Sequence, residues 1–220
     1  MRKFNELLIV NMKVLLVSAS PRIKGNTYTA LCEVAETLEQ EGIATEIVEI
    51  GAKPIRGCIA CQWCKNHPEE KRCVFDDDIT NRISARAAEA DGFIFGAPVY
   101  YGQPNGSALC LIQRMLYSNV ADFMYKPVAN VCICRRGGAD TSLQSMNTMF
   151  EMCNMPIVTS QYWNIAYGRE KGEVSRDLEG MQTMRTLAHN MAWMLKKFHC
   201  VETTPTPTRE LPWQPTNFIR

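Results

Sequence analysis

The sequence contains no uninterrupted apolar run of the roughly 18 residues that a membrane-spanning helix needs, so no bilayer span is expected. It also lacks excess charge of either sign. With 24 Lys and Arg against 23 Asp and Glu, the net charge of +1 leaves no electrostatic footprint for nucleic acid or for an anionic membrane. Histidine is scarce, and His67, His189 and His199 have no ligand spacing with one another, so surface or helix roles are expected of them. There is no G-x-G-x-x-G, no G-x-x-x-x-G-K-[ST], no nucleophile elbow and no Ser/His/Asp cue, which argues against a dinucleotide fingerprint, a P-loop and a hydrolase. The apolar run Leu7 to Val10 is too short for a signal peptide and has no small-residue cleavage site after it. Core-forming residues, by contrast, are plentiful: 46% of the 220 residues are hydrophobic and 21% charged, which excludes disorder for most of the chain. Ten cysteines in a chain this long point to thiols or metal rather than disulfide staples, and to the cytosol, where reduced cysteines persist.

Apolar runs and helical periodicities alternate. Lys13 to Ser18 reads as a central parallel strand, Thr27 to Glu41 as a helix, Thr45 to Ile50 as a strand, Ile79 to Ala90 as a helix and Gly92 to Gly96 as a strand. Gly106 to Leu116 reads as a helix, Val128 to Cys134 as a strand, Thr141 to Met152 as a helix, Ile157 to Ser160 as a strand and Leu178 to Phe198 as a closing helix. Five strands interleaved with helices predict an α/β fold, a doubly wound five-stranded parallel sheet with helices on both faces. The expected organisation is an N-terminal extension over 1–11, one domain over 12–200 with a Cys-rich insertion at 55–78, and a Pro-rich tail over 201–220.

The first strand hands over to the first helix through Ser18-Ala19-Ser20-Pro21-Arg22-Ile23-Lys24-Gly25-Asn26-Thr27, the place where an α/β sheet binds anionic ligands. Ser18, Ser20, Asn26 and Thr27 supply neutral donors beside the helix N-terminus, Arg22 or Lys24 a full charge, and Gly25 a tight turn. An ordinary helix cap by Asn26 or Thr27 is the plain alternative. The hydroxyls, amide and cations gathered here suit a monophosphate better than a pyrophosphate.

This loop resembles the S-x-S-P-R-x-x-G-N-T phosphate loop of the NAD(P)H-dependent FMN reductases, a flavodoxin-like family. Ala97-Pro98-Val99-Tyr100-Tyr101-Gly102 is similar to that family's P-x-Y-x-G loop along the isoalloxazine ring, and Arg135-Arg136-Gly137-Gly138 falls at its third flavin loop. On their own terms, Pro98 and Gly102 permit close backbone approach to a flat ring, and Val99, Tyr100 and Tyr101 offer an apolar and aromatic surface; a plain turn with core tyrosines is the alternative. Arg135 is expected to contact FMN, whereas Arg136 is either near the electron-rich flavin edge or a solvated charge.

Cys58, Cys61, Cys64 and, after a longer gap, Cys73 form a compact four-thiol set. Three closely spaced thiols and one looser arm suit a four-iron four-sulfur cluster, while structural zinc draws on two separated C-x-x-C knuckles; metal-free thiols are the third reading. The iron-sulfur flavoproteins, relatives in the same branch, resemble this chain here, with a similar motif just before an Asp-rich turn like Asp76-Asp77-Asp78. Trp63 is read as an anchor of the loop to the core, and the six other cysteines as small core residues.

The resemblance implies that FMN carries the reactivity and that hydride passes from NAD(P)H through FMN to a quinone, azo, nitro or flavin acceptor. Two alternatives stand beside it: electron transfer between ferredoxin and FMN through a cluster, and a flavin-binding redox sensor without turnover. It further implies a homodimer or homotetramer.

Overall fold

The computed structural model describes residues 12–200; the expected extension over 1–11 and the tail over 201–220 lie outside the described residues. The first strand, β1 (Lys13–Ser18), is buried at every position after Lys13. Its alternating side chains feed two cores. Val14 and Leu16 pack into one helical layer, Leu15 and Val17 into the other. Each such fully buried aliphatic side chain contributes about 1.5–3 kcal/mol, so a strand apolar on both faces holds the centre of the sheet.

The other elements follow in the expected alternation: α1 (Asn26–Gln40), β2 (Ala44–Glu49), the short α2 (Trp63–Asn66), α3 (Thr80–Glu89), β3 (Gly92–Tyr100), β4 (Gln103–Pro104), α4 (Gly106–Asn119), β5 (Val128–Cys134), α5 (Ala139–Glu151), β6 (Ile165–Tyr167) and α6 (Leu178–His199). The sheet order is β2-β1-β3-β5-β6, all parallel, with β4 folding back antiparallel on the end of β3. Helices α1 and α6 cover one face, and α3, α4 and α5 the other. The chain reverses its direction across the sheet between β1 and β3, and the crevice beyond their carboxyl ends is where this architecture places ligands.

Two strands differ from the expectation. The fifth parallel strand is Ile165–Tyr167 rather than Ile157 to Ser160. Ile157 makes only an isolated bridge to Val128. Beyond it the Ser160 hydroxyl bonds Tyr162 O and the Asn164 carboxamide, turning the chain before it can continue the ladder. Strand β3, expected to stop at Gly96, runs on to Tyr100 because its last two residues pair with Gln103 and Pro104 in a hairpin.

Candidate functional site

Four loops meet at the carboxyl edge of the sheet, and contacts link them into a ring. The Asn105 carboxamide donates to Ala19 O at 2.8 Å while its main-chain N–H donates to Pro98 O, joining the loop after β1 to the loop after β3. A Cβ on Gly138 would lie 2.7 Å from Gly102 Cα, so the loops after β3 and β5 touch backbone to backbone; Gly138, with φ of +83°, meets both demands as no other residue does. Gly168 N–H donates to Cys134 O, tying in the segment after β6. Asn26 closes the ring: its amide donates to Glu170 O, and its carbonyl oxygen accepts from Gly172 N–H at 2.8 Å and Val174 N–H at 3.4 Å.

In the first loop, Ser18, Ser20, Gly25 and Thr27 are buried, and Arg22 and Lys24 are exposed. No side chain caps α1, and its first turn carries no acidic residue. The earliest helical bond runs from Thr29 N–H to Gly25 O, so the preceding amides of the first turn have no intrahelical acceptor. The tight turn expected of Gly25 falls on Lys24, which adopts φ of +50° and donates its N–H to Glu49. Gly25 is needed instead for close approach, since a Cβ there would sit 2.9 Å from Arg22 O. Arg22 reaches Arg169 O at 3.4 Å and so also belongs to the ring. Ser18 Oγ and Asn105 Oδ1 are buried with no protein partner among the described residues, which suits a loop built to receive a polar ligand.

In the second loop, Pro98 and Val99 are half-buried, Tyr100 is exposed and Tyr101 is fully exposed. Tyr101 and Gly102 take φ of +52° and +74°, the pattern of a two-residue primed hairpin turn. Neither tyrosine is a core residue. In the third loop, Arg135, Arg136 and Gly137 are exposed. Burial pushes the Cys134 thiol up against the opposing pull of the Arg136 main chain. Sequence reasoning missed Asn105, the segment from Tyr167 to Val174 and the closing role of Asn26. An Asn ahead of a helix reads only as a cap, and a carboxamide's long-range partners leave no local trace.

The four cysteines of the insertion line one surface recess with Ile59, Gln62, Val74, Phe75, Arg114, Tyr117 and Ser118. Cys58 and Cys61 are exposed, Cys64 and Cys73 half-buried. Ala60 N–H points at Cys58 Sγ at 3.4 Å, Cys64 Sγ lies 4.0 Å from Tyr117 O, and Asn81 grips Cys73 on both its N–H and its carbonyl. Burial pushes the Cys64 thiol up, with Cys73 and Cys58 adding to it against the pull of Lys65. Among the described residues no three His, Cys, Asp or Glu side chains gather closely enough for a single metal ion. In number and kind, the four thiols on this one recess match the donor set of a four-iron four-sulfur cluster.

Trp63 anchors the insertion to itself rather than to the core, stacked on His67 at 4.6 Å with Arg72 over its ring. Of the six remaining cysteines, Cys132, Cys134 and Cys153 are core residues, whereas Cys32 and Cys110 are half-buried and Cys200 is exposed. His189 and His199 sit beside Glu41 and Asp91, the surface roles expected of them.

A parallel sheet ordered in this way, with its loops gathered beyond the carboxyl edge, defines a flavodoxin-like protein. A flavodoxin, WrbA-like protein of Agrobacterium tumefaciens superposes with a TM-score of 0.57 at 17% identity, over 84% of this chain and 98% of that one. Residues 12–170 match the NADPH-dependent FMN reductase family, and the chain belongs to it. Flavin-dependent oxidoreduction on FMN is therefore its chemistry. An iron-sulfur flavoprotein of Methanocaldococcus jannaschii is 32% identical over 84% of this chain and 98% of its own length. One from Methanosarcina thermophila is 27% identical over 84% and 96%. Among the described residues, no helix is long and apolar enough to cross a membrane.

Proposed function

We propose that the protein transfers hydride from NAD(P)H through FMN to a small acceptor of the quinone, azo, nitro or flavin type. The observation that carries the reading is the closed ring of loops around the carboxyl edge of β1, β3 and β5. The free amides of the first turn of α1, with Ser18, Ser20, Gly25 and Thr27, hold the phosphate, and Arg22 and Lys24 supply charge. Asn26 acts from behind, fixing the loop against the Glu170 to Val174 segment. Pro98, Val99, Tyr100, Tyr101 and Gly102 line the flavin ring, and Arg135, Gly137 and Gly138 bound its other edge. The exposure of Tyr100 and Tyr101 leaves one side of this site open to a second planar molecule. Bound FMN supplies the hydride and electron chemistry; the chain binds and orients it.

A second reading is favoured by the single recess on which the four cysteines open. There Cys58, Cys61, Cys64 and Cys73 ligate a four-iron four-sulfur cluster, and ferredoxin exchanges electrons with FMN through it.

The test is anaerobic purification followed by FMN, iron and sulfide assay and titration with NADH and NADPH. Stoichiometric FMN, bleached by one nucleotide and recoloured by a quinone, is the result expected. About four irons per chain would add the cluster. A colourless protein that stays colourless with added FMN would overturn both readings. A coloured one that neither nucleotide bleaches would leave the redox sensor.

A further inference from the structure

Arg114, on α4, is the largest fully buried side chain among the described residues. Its side chain is 0% exposed and that of its ion-pair partner Asp78 only 4%. An isolated buried charge costs several kcal/mol, so each group around it needs an account. The guanidinium donates to Asp78, to Arg56 O at 3.3 Å and to Phe75 O at 3.0 Å, all from the insertion, and its Cζ lies 6.0 Å from the centre of the Phe75 ring. Nε alone is buried without a hydrogen-bond partner. Arg114 also lines the cysteine recess, with the Cys73 thiol beside it. Burial pulls the guanidinium pKa down, while Cys73 and Asp78 more than restore it.

From this geometry we propose that Arg114 is a positioning residue for the cysteine quartet, clamping the insertion onto α4 and holding a fixed, buried positive charge at the recess that the four cysteines line. The proposal rests on the second reading above, in which the quartet ligates a cluster. Four thiolates on a four-iron four-sulfur core carry net negative charge, and one-electron reduction adds to it; a buried cation nearby favours the reduced form. Asp78, paired with the guanidinium, offsets part of that field and keeps it fixed.

The test uses the full chain, reconstituted anaerobically with iron and sulfide, as wild type, Arg114→Gln, Arg114→Lys and Asp78→Asn. Iron content and the reduced-to-oxidised ratio of the cluster at fixed solution potential are read by absorbance and electron paramagnetic resonance. Arg114→Gln is expected to lower that ratio at least tenfold, about 59 mV for a one-electron couple. Arg114→Lys keeps the ratio within threefold, and Asp78→Asn raises it. A residue that merely clamps the loop would shift Arg114→Gln and Asp78→Asn the same way, which would overturn the proposal, as would an unchanged Arg114→Gln. If Arg114→Gln is recovered only unfolded, the sign for Asp78→Asn decides. A wild-type chain that takes up no iron would sink the cluster reading itself, an outcome distinct from the others.

Discussion

At the residue scale, Asn26 shows how one side chain can hold a site without facing its ligand. Its two carboxamide atoms are spent on three main-chain groups about 145 residues away, so it sets where the first loop lies against the Glu170 to Val174 segment. Asn26→Ala would release the Gly172 N–H to water and leave the part-buried Val174 N–H without its acceptor, and is expected to cost about 0.5–1.5 kcal/mol in urea denaturation of the FMN-free protein. The same variant should also retain FMN less well, while Arg22→Ala lowers FMN affinity with a smaller stability loss. Equal stability of Asn26→Ala and wild type would show that the ring does not depend on this link. The motif made Asn26 visible in the sequence. Its partners were not, because a hydrogen bond to distant main chain imposes no residue type on the acceptor.

At the scale of elements, the hairpin joining β3 to β4 and the docking of α4 on the insertion do different work. Tyr101 is wholly exposed in left-handed backbone that costs a non-glycine residue about 1 kcal/mol, a conformation with no packing return in the protein alone. Tyr101→Gly is therefore expected to leave the melting temperature unchanged or raise it while weakening FMN or acceptor binding, as read by fluorescence titration. Undiminished binding would remove Tyr101 from the ring-facing surface. On the insertion, burial raises the Asp78 carboxyl, but the Thr80 amide and hydroxyl and the Arg114 guanidinium outweigh it and hold it below its ordinary value. A carboxyl depressed in the folded state stabilises fully above its unfolded pKa of about 3.9 and loses that contribution as pH falls through the lower folded value. Urea midpoints should accordingly fall across this acid window in wild type and be flatter in Asp78→Asn. In the sequence Arg114 is one position of the expected helix Gly106 to Leu116, with no local sign of its burial. That Arg114 is buried beneath the cysteines depends on the insertion folding back over α4, which no periodicity encodes.

At the scale of the whole molecule, the ligand edge is assembled from loops drawn from 19 to 177, so binding there ties together the carboxyl ends of four strands. A ligand that occupies it in the folded state alone stabilises by mass action, about 2.7 kcal/mol at one hundred times its dissociation constant. For a protein of this size that corresponds to a rise in melting temperature of roughly 5–10 °C with FMN. A dinucleotide without flavin should give a much smaller rise, and no rise with FMN would contradict the assignment of this edge.

The strand and helix alternation, the two-faced burial of Lys13–Ser18, the three loop motifs and the cysteine spacing were all legible in the chain, because local periodicity and loop chemistry act over a few residues. What only the tertiary structure decided was pairing over distance. It moved the edge strand to Ile165–Tyr167, turned Asn26 into a clasp, brought Gly102 against Gly138, and set Arg114 beside Cys73. Each of these depends on two segments far apart in sequence meeting in a packed crevice, where a buried polar group must find its partner wherever the fold happens to bring one.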